Sequence, residues 1–143
     1  MTQVSRMPLP KGLEEQMHRL FRRSFVHLQS ETDVSSFLED LLTPTEKIML
    51  AKRLAIAVLL SKGHTQRDVG KILKVSLPTV NDVSYSLKYR GAGYKKVIDK
   101  LNKDQLWQDI LEGIEETLEH FIKSAHPTLT PRLPKEQRPV DHL

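Results

Sequence analysis

Cysteine is absent from the 143 residues, which removes disulfide frameworks and thiolate metal sites and fits a reducing cytosol. The first ten residues, MTQVSRMPLP, lack the apolar stretch of a secretory signal. The apolar run through Ala55–Leu60 is too short to span a bilayer and has Lys52, Arg53 and Lys62 beside it. A soluble, cytoplasmic chain with no membrane partner is expected. Alternating strand patterns are nearly absent, so the class is all-α. Catalytic arrangements are missing too. The six histidines are scattered with no H-E-x-x-H, and the serines lack a nucleophile-elbow context. No enzyme activity, metal or cofactor is expected.

What is present centres on Thr65 to Ser84, TQRDVGKILKVSLPTVNDVS. Thr65 can cap a short helix, with Asp68 three residues on as the reciprocal capping partner. Val69, Ile72 and Leu73 form its apolar stripe, and Gly70 is small where two helices must approach. Ser76 can cap a second helix that carries Val80, Val83 and Leu87 on one side. Two helices so joined are the unit whose second helix enters the DNA major groove. The V-S-x-x-T-V run at 75–80 resembles the helix-turn-helix of bacterial repressors. Lys74 occupies the turn position where glycine is usual.

Charge supports the same reading. Residues 62–103 hold ten basic side chains against Asp68, Asp82 and Asp99, a net +7, while the remainder of the chain nets −3. A basic segment centred on the motif is what counterion release from phosphates requires.

Around this unit the pattern predicts a disordered arm over 1–10, with Pro8 and Pro10. An amphipathic helix follows over 11–30, then a shorter one from Asp33, its cap, through Leu42. Thr43-Pro44-Thr45-Glu46 is a helix start with cap, proline and capping box. The helix it opens runs to about Lys62 and is apolar nearly all round in its middle, as a helix buried on all sides would be. A small domain cannot bury it with its own few helices, so a partner chain is expected. Gly63 supplies the left-handed residue that ends it.

LLTPTEKIMLAKRLAIAVLLSKG, followed by TQRDVGKIL and SLPTVNDVSYSLK, resembles the Trp repressor superfamily, in particular its Trp-repressor-like subgroup of small bacterial proteins. The resemblance covers about 37–94. It implies an intertwined, two-fold symmetric, all-helical homodimer that presents two recognition helices to palindromic double-stranded DNA. It also implies a possible ligand pocket. In the Trp repressor, a threonine and an arginine of the long helix, with an arginine–glycine pair of the recognition helix, hold tryptophan. Thr43 and Arg53 match the first pair, whereas Asp82 and Val83 stand at the second. An aspartate would repel the amino acid's carboxylate and valine adds bulk, so tryptophan sensing is not expected.

Residues at the start of the second helix face the groove, which makes Leu77, Pro78, Thr79 and Asn81 the base-reading candidates. Gln66, Arg67, Lys71, Lys74, Ser76 and Lys88 suit the DNA backbone. Gly91-Ala92-Gly93-Tyr94 reads as a hinge that ends the recognition helix, followed by a short basic helix over 94–101. The domain so defined spans 11–101. Residues 102–124 then form a C-terminal amphipathic helix, apolar at Leu106, Trp107, Ile110, Leu111, Ile114, Leu118, Phe121 and Ile122 and acidic opposite. Three roles fit it: extending the core, recruiting a protein through residues 104–122, or folding over the basic face as an autoinhibitor. A proline-rich tail occupies 125–143. The expected function is a sequence-specific DNA-binding transcriptional regulator, a repressor. The alternative is a helical protein-interaction adaptor that keeps the fold without binding DNA specifically.

Overall fold

A computed structural model describes residues 7–125. These form α1 (Leu13–Val26), α2 (Glu31–Leu41), α3 (Pro44–Ser61), α4 (Gln66–Leu73), α5 (Leu77–Tyr89), α6 (Ala92–Leu101) and α7 (Gln105–Ala125). No strand occurs among the described residues, so the fold is all-α as expected. Residues 1–6 of the expected arm, and the tail from 126 onward, lie outside the described residues. No helix of the described residues is long and apolar enough to cross a membrane. The chain divides into two compact units between Lys47 and Ile48.

In the first unit, α1 starts two residues after Lys11 because Gly12 precedes it in the left-handed region, at φ 86°. Phe21, Phe25 and Phe37 pack edge to face, with centroids 5.1 and 5.7 Å apart. The cap of α2 is Ser30, not Asp33. Ser30 is extended, as a cap must be, and its Oγ accepts the Asp33 N–H at 3.1 Å. Asp33, already helical, accepts the Gln29 N–H at 3.4 Å instead. The capping box at the head of α3 is complete. Thr43 Oγ1 accepts the Glu46 N–H at 3.2 Å, and Glu46 Oε2 accepts the Thr43 N–H at 2.8 Å. Neither α1 nor α2 has a buried residue.

In the second unit, α3 is buried over Ile56–Leu59, while Ile48, Met49 and Leu50 stay exposed. The expectation of a helix buried on all sides therefore holds within this chain for one half only. Gly63, at φ 94°, ends the helix, and the Gly63 and His64 N–H groups return to the Leu60 and Leu59 carbonyls. The core joins the end of α3 to Val69 of α4, Val80 and Val83 of α5, Ile98 of α6 and Leu111 of α7.

The chain does turn at Gly91, between the end of α5 and the start of α6, without a left-handed residue. The φ of Gly91 is −61°, and α6 begins at Ala92 rather than Tyr94. A Cβ at Gly91 would collide with the Leu87 carbonyl oxygen, so it is close approach that demands glycine. Tyr94 packs against the core. In α7, Trp107 and Ile114 pack on the same core as Leu111, and Leu118 is fully buried. Core extension is thus the role the structure shows for α7. Leu77, Pro78 and Asn81 remain exposed, so α7 does not cover them as an autoinhibitor would.

Candidate nucleic-acid interface

The pair α4–α5 is held together locally. Thr65 Oγ1 accepts the Asp68 N–H at 3.2 Å and donates to Asp68 Oδ2 at 2.7 Å. The aspartate therefore partners the cap's hydroxyl group. At the turn, a Cβ on Gly70 would stand 3.3 Å from the Val75 carbonyl oxygen and 3.7 Å from Val80 Cγ2, which fixes the close approach of the helices. Lys74 has φ 51° and ψ 53°. That conformation costs a side-chain-bearing residue about 1–2 kcal/mol. Lys74→Gly should therefore raise stability by about 0.5–1 kcal/mol, net of the entropy glycine adds to the unfolded chain. Thermal melting checks this, and DNA affinity should fall in the same variant as one cation is lost.

Ser76 Oγ caps α5, accepting the Thr79 N–H at 3.5 Å and lying 3.0 Å from Thr79 Oγ1. Val80 and Val83 face the core. Three of the four base-reading candidates, Leu77, Pro78 and Asn81, share an exposed face, while Thr79 is half-buried and tied to its cap. The face continues through Tyr85, Lys88 and Tyr89, all exposed. Tyr85 and Tyr89 lie 4.6 Å apart, and Lys88 Nζ is 5.4 Å from the Tyr89 ring centre. Tyr85 is not among the candidates the sequence pattern names, yet its place four residues after Asn81 and eight after Leu77 puts it on that face.

Among the backbone candidates, Gln66, Arg67, Lys71, Lys74, Ser76 and Lys88 are all exposed. Gln66 Nε2 also donates to Ser84 Oγ at 3.0 Å, bridging the two helices. A groove of about 1100 Å³ opens beside the pair, where Gln66 and Lys88 are joined by Arg90 and Lys95. Arg90 follows directly on α5, whereas Lys95 is brought beside the motif by the turn into α6. The ligand-pocket candidates fare differently. Thr43 is engaged as a helix cap and Arg53 is exposed on α3; at the two positions that depart from the Trp repressor pattern, Asp82 is exposed on α5 and Val83 belongs to the core.

Comparison with known proteins adds family evidence. The Trp repressor protein family matches residues 15–102. The chain is also similar to the uncharacterized protein YerC of Bacillus subtilis (strain 168), 26% identical over 99 residues, which are 69% of this chain and 94% of that relative. No solved structure gives a significant match.

Proposed function

The chain belongs to the Trp repressor protein family, and from that premise we propose that it is a sequence-specific transcriptional regulator, a repressor, acting as a homodimer on a palindromic operator. The observation that carries the reading is the exposed start of α5, anchored in the shared core through Val80 and Val83 while Leu77, Pro78 and Asn81 stay exposed. In this reading those three side chains enter the major groove. Asn81 pairs bidentately with adenine, and Leu77 and Pro78 meet thymine methyls. Thr79 contributes through the cap it shares with Ser76. Gln66, Arg67, Lys71, Lys74 and Lys88 contact phosphates, so they position the protein without specifying sequence. Arg90 and Lys95 extend that cationic wall.

The homodimer reading is supported by apolar side chains that each of the two units, taken by itself, leaves exposed. Met17, Leu20 and Phe21 of α1, and Ile48, Met49 and Leu50 of α3, are all exposed. Contiguous exposed apolar side chains such as Ile48, Met49 and Leu50 are what an interaction surface uses. Tryptophan is not the effector, because Asp82 repels its carboxylate and Val83 is committed to the core.

Selection of binding sites from random duplex DNA should return a two-fold symmetric consensus. Asn81→Ala should blur it at one position per half-site and weaken the best site by about 10–100-fold. Failure to select any sequence, together with affinity that ignores Lys71→Ala and salt, would favour an adaptor that keeps the fold alone.

A further inference from the structure

We propose that α7 is a positioning element for the recognition helix, acting through Glu115 on His64, and that DNA reading by this chain depends on a helix beyond the part that matches the family. This rests on the DNA-binding reading above. The family match ends at residue 102 and α7 begins at Gln105. Yet α7 is built into the helix-turn-helix core: Leu111 is 1% exposed and shares a cluster with Val69, Val80 and Val83. His64 Nε2 lies 3.4 Å from Glu115 Oε1, and their side chains are only 14% and 28% exposed. His64 stands between the end of α3 and the Thr65 cap, with its N–H bound to the Leu59 carbonyl. Glu115 therefore grips the point at which the chain enters the DNA-binding pair.

The need for such a grip follows from length. An eight-residue α4 has little helical stability of its own, so its orientation is set by what packs on it. Bidentate base contacts at the start of α5 inherit any error in that orientation. No phosphate contact is expected from α7 itself. Its outward face carries Asp109, Glu112, Glu116 and Glu119, which DNA repels. Glu115 acts through His64.

The sign of the effect separates positioning from charge. Glu115→Ala in the full chain should lower affinity for the selected operator by about tenfold, the loss of a contact to a charged group. Plots of log affinity against log salt should stay parallel to wild type, since no phosphate contact is removed. Glu115→Gln, which can still hydrogen-bond His64, should stay close to wild type. Glu116→Ala removes the same charge from an exposed neighbour and should leave affinity unchanged or slightly higher. Hydrogen exchange at the Val69 and Gly70 amides should quicken in Glu115→Ala. The emission of Trp107, the chain's single tryptophan, reports that α7 stays docked. Exchange identical to wild type would overturn the proposal whether or not DNA binds. An affinity gain in Glu115→Ala matching Glu116→Ala would also overturn it, leaving only electrostatics. Should the wild-type chain bind no DNA while exchange still quickens, the DNA-binding reading falls and the hold of α7 on the helix pair stands.

Discussion

Ile48→Asp should convert the proposed homodimer to a monomer, at concentrations where the wild type is expected to sediment as a dimer. In a single chain Ile48 is 57% exposed. An aspartate at such a site changes the stability of a lone molecule by only about 0.5 kcal/mol. At an apolar interface between copies the outcome is different in kind. A carboxylate desolvated without a partner costs several kcal/mol, and a two-fold axis applies that cost twice. Leu20→Asp on α1, where the wild-type side chain is 72% exposed, should act in the same direction. Wild-type stability should also rise by about 1.4 kcal/mol for each tenfold increase in protein concentration, the signature of folding linked to assembly. Operator affinity should drop by about 100-fold or more in Ile48→Asp, because the second half-site is no longer engaged by a linked reader. A wild-type melting temperature independent of concentration, with unchanged sedimentation in both variants, would remove the homodimer from the account.

The legible parts of this chain were those decided within three or four residues. Thr43 with Glu46, Thr65 with Asp68 and Ser76 with Thr79 are local pairs, and each marks a helix start in the structure. The same locality misleads at the head of α2. Ser30 and Asp33 are both good caps three residues apart, and only the extended backbone at Ser30 decides between them. Gly91 illustrates a second limit. A glycine in sequence does not say whether it serves a positive φ or a missing Cβ, and here the Leu87 carbonyl oxygen makes it the latter. The stripe of α7 was evident from its spacing, but its partner was not. Contact between Glu115 and His64 spans 51 residues, and no periodic pattern encodes it. The apolar character of α3 was equally plain, whereas the division into a buried end and an exposed start depends on which helices this chain can supply.

Positions 82 and 83 show how far the family's ligand chemistry can be carried onto this chain, and Val83→Gly tests it directly. The substitution restores the glycine that accompanies a bound tryptophan in the Trp repressor, yet it should cost this protein about 3 kcal/mol. Val83 is 1% exposed and packs in the shared core. Loss of its buried methyl groups costs about 2 kcal/mol, and glycine in a helix interior adds about 1 kcal/mol more. For a unit of this size the melting temperature should fall by roughly 12–24 °C, measured by circular dichroism or calorimetry. Tryptophan should give no recovery, because binding that stabilises must favour the folded state, and Asp82 opposes a carboxylate there. Asp82→Asn serves as the contrasting neighbour. The side chain is exposed, so stability should hold within about 0.5 kcal/mol, while DNA affinity should rise as a charge repelled by phosphates is removed. Adjacent residues would then answer to different masters, Val83 to the core and Asp82 to the DNA. A Val83→Gly protein that melts like the wild type and gains stability from tryptophan would instead place a ligand between the helices. The buried valine argues against that arrangement, since its side chain is already committed to the core that holds α5 in place.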